Sequence, residues 1–177
     1  IAGSPLPNAT FYDNSGTFPN GWTTSLGTWT RGSGIAKHGR FTARGVSDGS
    51  NATFIYQDIP FVGLYRGEPL YLRGWINTNT TGSRVYILVD DGIDTTTGIY
   101  NVTTANRGWG TAEAVTAGLV VSDRATRLRI TCGITAGSAV TADYSGLYLT
   151  GGPYCREWNM PAGSPTAIER IYAESSQ

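Results

Sequence analysis

Apolar and polar residues alternate along the middle of the chain. From Leu70 to Asn77, Leu70, Leu72, Gly74 and Ile76 share one side, and Tyr71, Arg73, Trp75 and Asn77 share the other. Arg84 to Asp90 repeats the pattern, with Val85, Ile87 and Val89 opposed to Tyr86, Leu88 and Asp90. Leu128, Ile130 and Cys132 alternate with Arg127, Arg129 and Thr131. A period of two belongs to a strand with one packed face and one wet face. Thr53 to Ile59 is a β-rich run stopped by Pro60. Ala142, Tyr144, Leu147 and Leu149 mark a last strand, with an irregularity near Gly146. Shorter strands are expected around Thr28 to Arg31 and Arg40 to Arg44. Glu113 to Val121 reads as a strand or a short helix, and the strand count favours a strand.

Turn pairs at Thr81-Gly82, Asp91-Gly92, Arg107-Gly108 and Gly151-Gly152 separate the runs. About eight short antiparallel strands in one domain predict an all-β, two-sheet antiparallel β-sandwich. Residues 1–10, with Pro5 and Pro7, read as a lead-in or linker, and residues 11–152 as the sandwich. From Pro153 the pattern changes. Ile168, Ile171 and Tyr172 fall at helical spacing, and Thr166 with Glu169 forms the pattern of a capping box. Residues 153–177 are therefore expected to be a short tail, with room for one short helix, that docks on the sandwich or contacts another subunit.

Composition supports this reading and removes several alternatives. The chain has 177 residues, enough for one domain. Glycine is abundant at 24 residues, as many tight turns require. Charged residues make up 15%, and thirteen basic side chains balance thirteen acidic ones. A neutral chain without a Lys/Arg run is not expected to bind nucleic acid through counterion release. No apolar stretch approaches the roughly 20 residues that span a bilayer, so membrane insertion is not expected. One His and two Cys cannot build a His/Cys zinc cage. The chain opens on Ile1 and reads as trimmed, processed or excerpted, with any targeting signal outside it.

The order of motifs resembles a known family. Phe11-Tyr12-Asp13-Asn14, then Gly21-Trp22, then Ala36-Lys37-His38-Gly39 before a strand, resembles the opening of jelly-roll carbohydrate-binding modules. Tyr56-Gln57-Asp58-Ile59, then Leu64-Tyr65-Arg66-Gly67, then Leu70 to Asn77, resembles their central block. Trp109 after a Gly turn, the Arg127 to Thr131 strand and the Tyr144 to Leu149 strand continue the order. The same sandwich occurs in phage tail fibres, tailspikes and virion decoration proteins. The resemblance implies a jelly roll over roughly residues 10–150 that recognises a glycan or polysaccharide without catalysis. It also implies a place at an extracellular or virion surface, with fibre subunits or further copies of the chain as partners. A structural fibre or capsid-decoration domain without a sugar site is the alternative reading, and a glycoside hydrolase the third.

The candidate binding residues follow from strand parity. If the strands at 70–77 and 126–132 lie in one sheet, Tyr71, Arg73 and Trp75 share an outward face with Arg127, Arg129 and Thr131. Sugars offer C–H patches to aromatic rings, and hydroxyls that need donors and acceptors. Arginine adds a fork suited to a carboxylate or sulfate. Burial of these side chains under a loop or subunit is the competing reading. Trp29 is placed with the binding residues or in the core, while Trp22 and Trp109 are expected to plug the ends of the core.

The resemblance also implies a structural calcium ion. Asp13 and Asp143 would supply carboxylates, with carbonyls near His38 and Gly39, although strand parity puts Ser145 where relatives place the second Asp. Asp90-Asp91-Gly92-Ile93-Asp94 is a second acidic loop that suits either calcium or an ordinary turn.

No enzyme is expected. Glycosidases need two facing carboxylates, and none of Glu68, Glu113, Glu157, Glu169 and Glu174 sits mid-strand among aromatics. His38 is the sole imidazole, and no Gly-x-Ser-x-Gly elbow accompanies it. Cys132 and Cys155 form a disulfide, or Cys132 is a buried free thiol; its packed-side position supports the second as well as the first. Asn-x-Thr sites at Asn8, Asn51, Asn79 and Asn101 are within chance for so Thr-rich a chain.

Overall fold

The computed structural model describes residues 11, 21–25, 27–33, 37, 41–78, 84–101, 114–116, 118–135, 137 and 139–151. The lead-in, Trp109, Asp13, His38 and the tail from 152 onward lie outside these residues, as do the expectations placed on them.

Among the described residues, eleven strands are formed: β1 (Thr23–Thr24), β2 (Thr28–Ser33), β3 (Phe41–Val46), β4 (Thr53–Asp58), β5 (Pro69–Thr78), β6 (Arg84–Asp90), β7 (Thr95–Asn101), β8 (Ala114–Val115), β9 (Leu119–Val120), β10 (Arg129–Ile134) and β11 (Thr141–Gly151). A short 3₁₀ turn, Val62–Tyr65, links β4 to β5. One sheet has the order β1-β4-β10-β6-β7. The other runs β2-β3-β11-β5-β8, with β9 also paired to β5. All pairings are antiparallel. The fold is the expected all-β two-sheet sandwich.

The alternation in the sequence fixes which side chains meet between the sheets. Ile55 of β4, Val85, Ile87 and Val89 of β6, and Ile130, Cys132 and Ile134 of β10 are buried from one sheet. Leu70, Leu72 and Ile76 of β5, with Ala142, Tyr144, Leu147 and Leu149 of β11, are buried from the other. Each such aliphatic side chain contributes about 1.5–3 kcal/mol by leaving water, and a one-residue slip of β5 would exchange this row for Tyr71, Arg73 and Trp75. Cys132 is a free, buried thiol, and Cys155 lies outside the described residues.

The irregularity expected near Gly146 is a β-bulge. Ser145 pairs with Trp75 and Tyr148 with Arg73, so β11 spends one residue more than β5 over this stretch. Gly146 sits at φ 59°, a left-handed conformation that costs glycine little. Ser145 and Leu147 thereby face opposite ways although two residues apart. Trp22 plugs the core as expected, packing on Phe11 with ring centroids 5.5 Å apart. The stretch expected as one strand over 113–121 is instead two short strands, β8 and β9, along the β5 edge.

Candidate functional site

β5 places Tyr71, Arg73, Trp75 and Asn77 on the outer face of its sheet, because Leu70, Leu72, Gly74 and Ile76 turn inward. The neighbouring strand β11 adds Thr150 beside Tyr71, Tyr148 beside Arg73, Ser145 beside Trp75 and Asp143 beside Asn77. β3 adds Arg44 opposite Asp143. Directly opposed residues bring their Cβ atoms to roughly 4.5–5.5 Å, so these side chains form one continuous surface. Tyr71 is 39% exposed and borders Gly118, where an added Cβ would lie 2.9 Å from the Tyr71 hydroxyl. The exposed Lys37 holds its ammonium 4.4 Å from the centre of the Trp75 ring. Such a contact contributes about 0.5–1 kcal/mol at an exposed site.

A polar knot closes one side of this face. Arg44 Nε donates to Asp143 Oδ1 at 2.9 Å, and its Nη2 donates to Oδ2 at 3.1 Å. Thr42 Oγ1 donates to the same Oδ1 at 2.9 Å. Asp143 is only 4% exposed, so two bonds from the guanidinium and one from the Thr42 hydroxyl replace its water. Asp143 raises the pKa of Arg44, chiefly through the hydrogen bond between them. Gly32 is required beside this knot, because a Cβ there would lie 2.3 Å from Thr42 Oγ1.

The pairing overturns the expectation placed on Asp143. Both oxygens of Asp143 are engaged by Arg44 and Thr42, and the guanidinium opposes a second cation in the same place. Asp143 therefore does not fit a calcium ligand; Asp13 lies outside the described residues. Among the described residues, no three His, Cys, Asp or Glu side chains gather as a metal site would need. The acidic turn after β6 is likewise occupied. Asp91 Oδ1 accepts from the amides of Ile93 and Asp94, and Oδ2 accepts from the Ser122 amide at 2.8 Å. Burial pushes the pKa of Asp91 up, but these amides more than offset it and leave it below the usual carboxylate range.

Arg127 and Arg129 do not join Tyr71, Arg73 and Trp75. The expectation that their strands share a sheet fails: β5 pairs with β11, while β10 pairs with β4 and β6 in the other sheet. The two groups point outward from opposite sides of the sandwich. Arg129 forks onto Asp58 at 2.7 and 2.9 Å and lies 3.9 Å over the Tyr56 ring. The hydrogen bond from Arg129 lowers the pKa of Asp58. Arg127 Nη2 donates to Asp90 Oδ2 at 2.9 Å. Asp58, Asp90 and Asp143, the carboxylates on the described strands, are each matched by an arginine.

Trp29 also leaves the candidate set. It is 8% exposed, its ring centroid is 6.0 Å from that of Tyr144, and it lies over Gly45, its partner across β2 and β3. A Cβ on Gly45 would come within 2.7 Å of that ring. A tryptophan opposite a glycine was the available signal that Trp29 fills the core. Lys37, Arg44 and Tyr148 join the face without a signal in the alternation that placed Tyr71, Arg73, Trp75 and Asn77 there. Arg44 and Tyr148 needed knowledge of the β3–β11 pairing and of the bulge.

This arrangement is an aromatic and cationic surface on the outer face of a six-stranded sheet. The fold is a jelly roll. Solved structures with the same architecture establish this. A family 61 carbohydrate-binding module in complex with β-1,4-galactotriose matches this jelly roll with a TM-score of 0.60 at 17% identity, over 84% of this chain and 98% of that one. A cyclase from Fischerella sp. TAU in complex with 4-(1H-indol-3-yl)butan-2-one matches with a TM-score of 0.62 at 15% identity, over 84% of this chain and 96% of that one. The enzymatically active domain of bacteriophage CBA120 tailspike protein 4 matches with a TM-score of 0.59 at 13% identity, over 82% of this chain and 21% of that one. At these identities the likeness establishes the jelly roll alone. No family model and no curated protein matches the chain.

Proposed function

We propose that the chain recognises a surface glycan or polysaccharide, without catalysis, through the outer face of the β2-β3-β11-β5-β8 sheet. The observation that carries this reading is the row Tyr71, Arg73, Trp75 and Asn77 on β5, with Lys37 over Trp75. Rings supply stacking surfaces for sugar C–H patches, and the flanking cations and amide supply directional bonds to hydroxyls. Arg73 and Lys37 favour a glycan that carries carboxylates or sulfates. Lys37 covers one face of Trp75, so a sugar that stacks there displaces an exposed lysine or binds against it.

The structural neighbours support this reading at the level of the fold, since one was solved with a galactotriose. The tailspike neighbour, in which the matched region is 21% of the chain, supports a place within a larger virion or extracellular assembly. Ion pairing of Asp58, Asp90 and Asp143 supports a non-catalytic role, because a carboxylate held by arginine is a poor general acid. Among the described residues, no helix is long and apolar enough to cross a membrane.

A glycan array that includes uronate-bearing and sulfated polysaccharides tests the proposal, with Trp75→Ala and Tyr71→Ala as controls. Binding that both variants lose supports it. No signal on any glycan, or a signal that survives both substitutions, overturns it.

A further inference from the structure

Among the described residues, six large apolar side chains stand exposed: Val46, Phe61, Leu64, Tyr71, Ile93 and Val120. All but Val46 lie at one end of the sandwich. The topology fixes this. β4 ends at Asp58 and β6 ends at Asp90, both opposite Arg129 at the start of β10. Phe61 and Leu64 follow β4, Ile93 follows β6, and Val120 pairs with Pro69 at the start of β5. Hydrogen bonds join these loops into one surface. The Gly67 amide donates to Val121 O, the Val121 amide to Glu68 O, the Ser122 amide to Asp91, and Arg66 Nη2 to Ala125 O.

Phe61 marks this end as more than a turn. Its backbone is left-handed, at φ 58° and ψ 47°, although it carries a Cβ. The residue is 77% exposed, so the core gains little from it. Left-handed backbone disfavours a residue with a Cβ, and water disfavours a bare ring. A phenylalanine held this way is explained by something that covers it.

We infer that this end of the sandwich is the docking surface for the chain's own residues 153–177. β11 leaves the sheet here, since Gly151 pairs with Leu70. Residues 153–177 then bring Tyr154, Trp158, Met160, Ile168, Ile171 and Tyr172, and the last three fall on one face at helical spacing. An apolar segment tethered beside an apolar surface meets it at an effective concentration in the millimolar range, well above that of a second copy in dilute solution. The inference shares Tyr71 with the glycan reading, which uses the sheet face, but rests on Phe61, Leu64, Ile93 and Val120, which that reading does not use.

The test keeps the full chain. Ser175→Cys is introduced with Cys155→Ser, and the new thiol is labelled with a benzophenone maleimide. Cys132 is fully buried and does not compete for the reagent. After irradiation, monomers are isolated and cross-linked peptides mapped. The expected result is cross-linking within one chain to the peptides that carry Phe61 and Leu64 or Val120. Phe61→Gly suits the left-handed backbone and keeps the fold, so the melting transition should remain cooperative. It should lower the ratio of docked to undocked tail roughly tenfold or more, as loss of one buried Phe side chain implies. Cross-links that map to none of these peptides overturn the inference. Cross-links to them found only between chains also overturn it, and assign the surface to a second copy.

Discussion

Gly74 on β5 and Leu147 on β11 occupy the room of a single side chain. A Cβ on Gly74 would lie 2.4 Å from Leu147 Cδ2. Leu147 is buried and reaches this place because the bulge turns it inward. Gly74→Ala should therefore destabilise the fold by about 1–3 kcal/mol through overpacking. Leu147→Ala should cost about 2–5 kcal/mol through the cavity it leaves. The double variant should cost clearly less than the two together, because each change relieves the other. Denaturant unfolding of the four proteins measures the coupling; strict additivity would contradict the packing described.

The two outer faces should separate by mutation. Trp75→Ala or Arg73→Ala should reduce glycan affinity at least tenfold with a small change in melting temperature, since these side chains point away from the core. Arg129→Ala and Arg127→Ala lie on the opposite sheet and should leave affinity unchanged. Trp29→Ala should instead lower stability by roughly 3–5 kcal/mol, as removal of a large core aromatic does. Titration calorimetry and thermal melts on the same samples distinguish these outcomes. Loss of affinity in Arg129→Ala equal to that in Trp75→Ala would refute the assignment of the face.

Acid should weaken the fold through Asp58 and Asp91. Both have folded-state pKa values below the usual carboxylate range: Asp58 through its hydrogen bond from Arg129, and Asp91 because three amide donors outweigh its burial. A lowered folded pKa means that the unfolded chain takes up the proton first on acidification. The stability these groups contribute is complete above the unfolded value, about 3.9. It is lost as pH falls from there through the folded value. Asp91→Asn should flatten this acid limb of a stability-against-pH curve and leave the neutral limb level. An unchanged limb would mean that other carboxylates carry it.

Cys132 should be chemically silent in the native protein. Burial raises its thiol pKa far above the usual value, and its side chain is inaccessible. Thiolate is the reacting form, so iodoacetamide at neutral pH should leave Cys132 unmodified until the protein is unfolded. Peptide mapping with and without denaturant reads this directly; native modification at Cys132 would show that the strands around it open locally.

Much of the architecture was legible because strand period reports burial. β5, β6, β10 and β11 follow from alternating residues, β4 from a β-rich run stopped by Pro60, and the bulge from the break in phase at Gly146. β7 was missed: Thr95–Asn101 is Thr-rich and lacks the apolar alternation of β6 beside it. The candidate site was only partly legible. Alternation says that Arg73 and Arg129 both face out, but not from which sheet, since partner choice is set by contacts far apart along the chain. The Arg44–Asp143 pair spans 99 positions. Nothing local announces it, and the same carboxylate read in isolation suggests a metal ligand.

The bulge has a consequence for how the gene can drift. Removing Gly146 would leave Ser145 and Leu147 adjacent, opposite Trp75 and Gly74, and every later side chain would keep its present orientation. Removing a residue elsewhere in the same strand, such as Asp143, would invert one flank of it. Gly146 is the codon at which this strand can shorten without turning itself inside out.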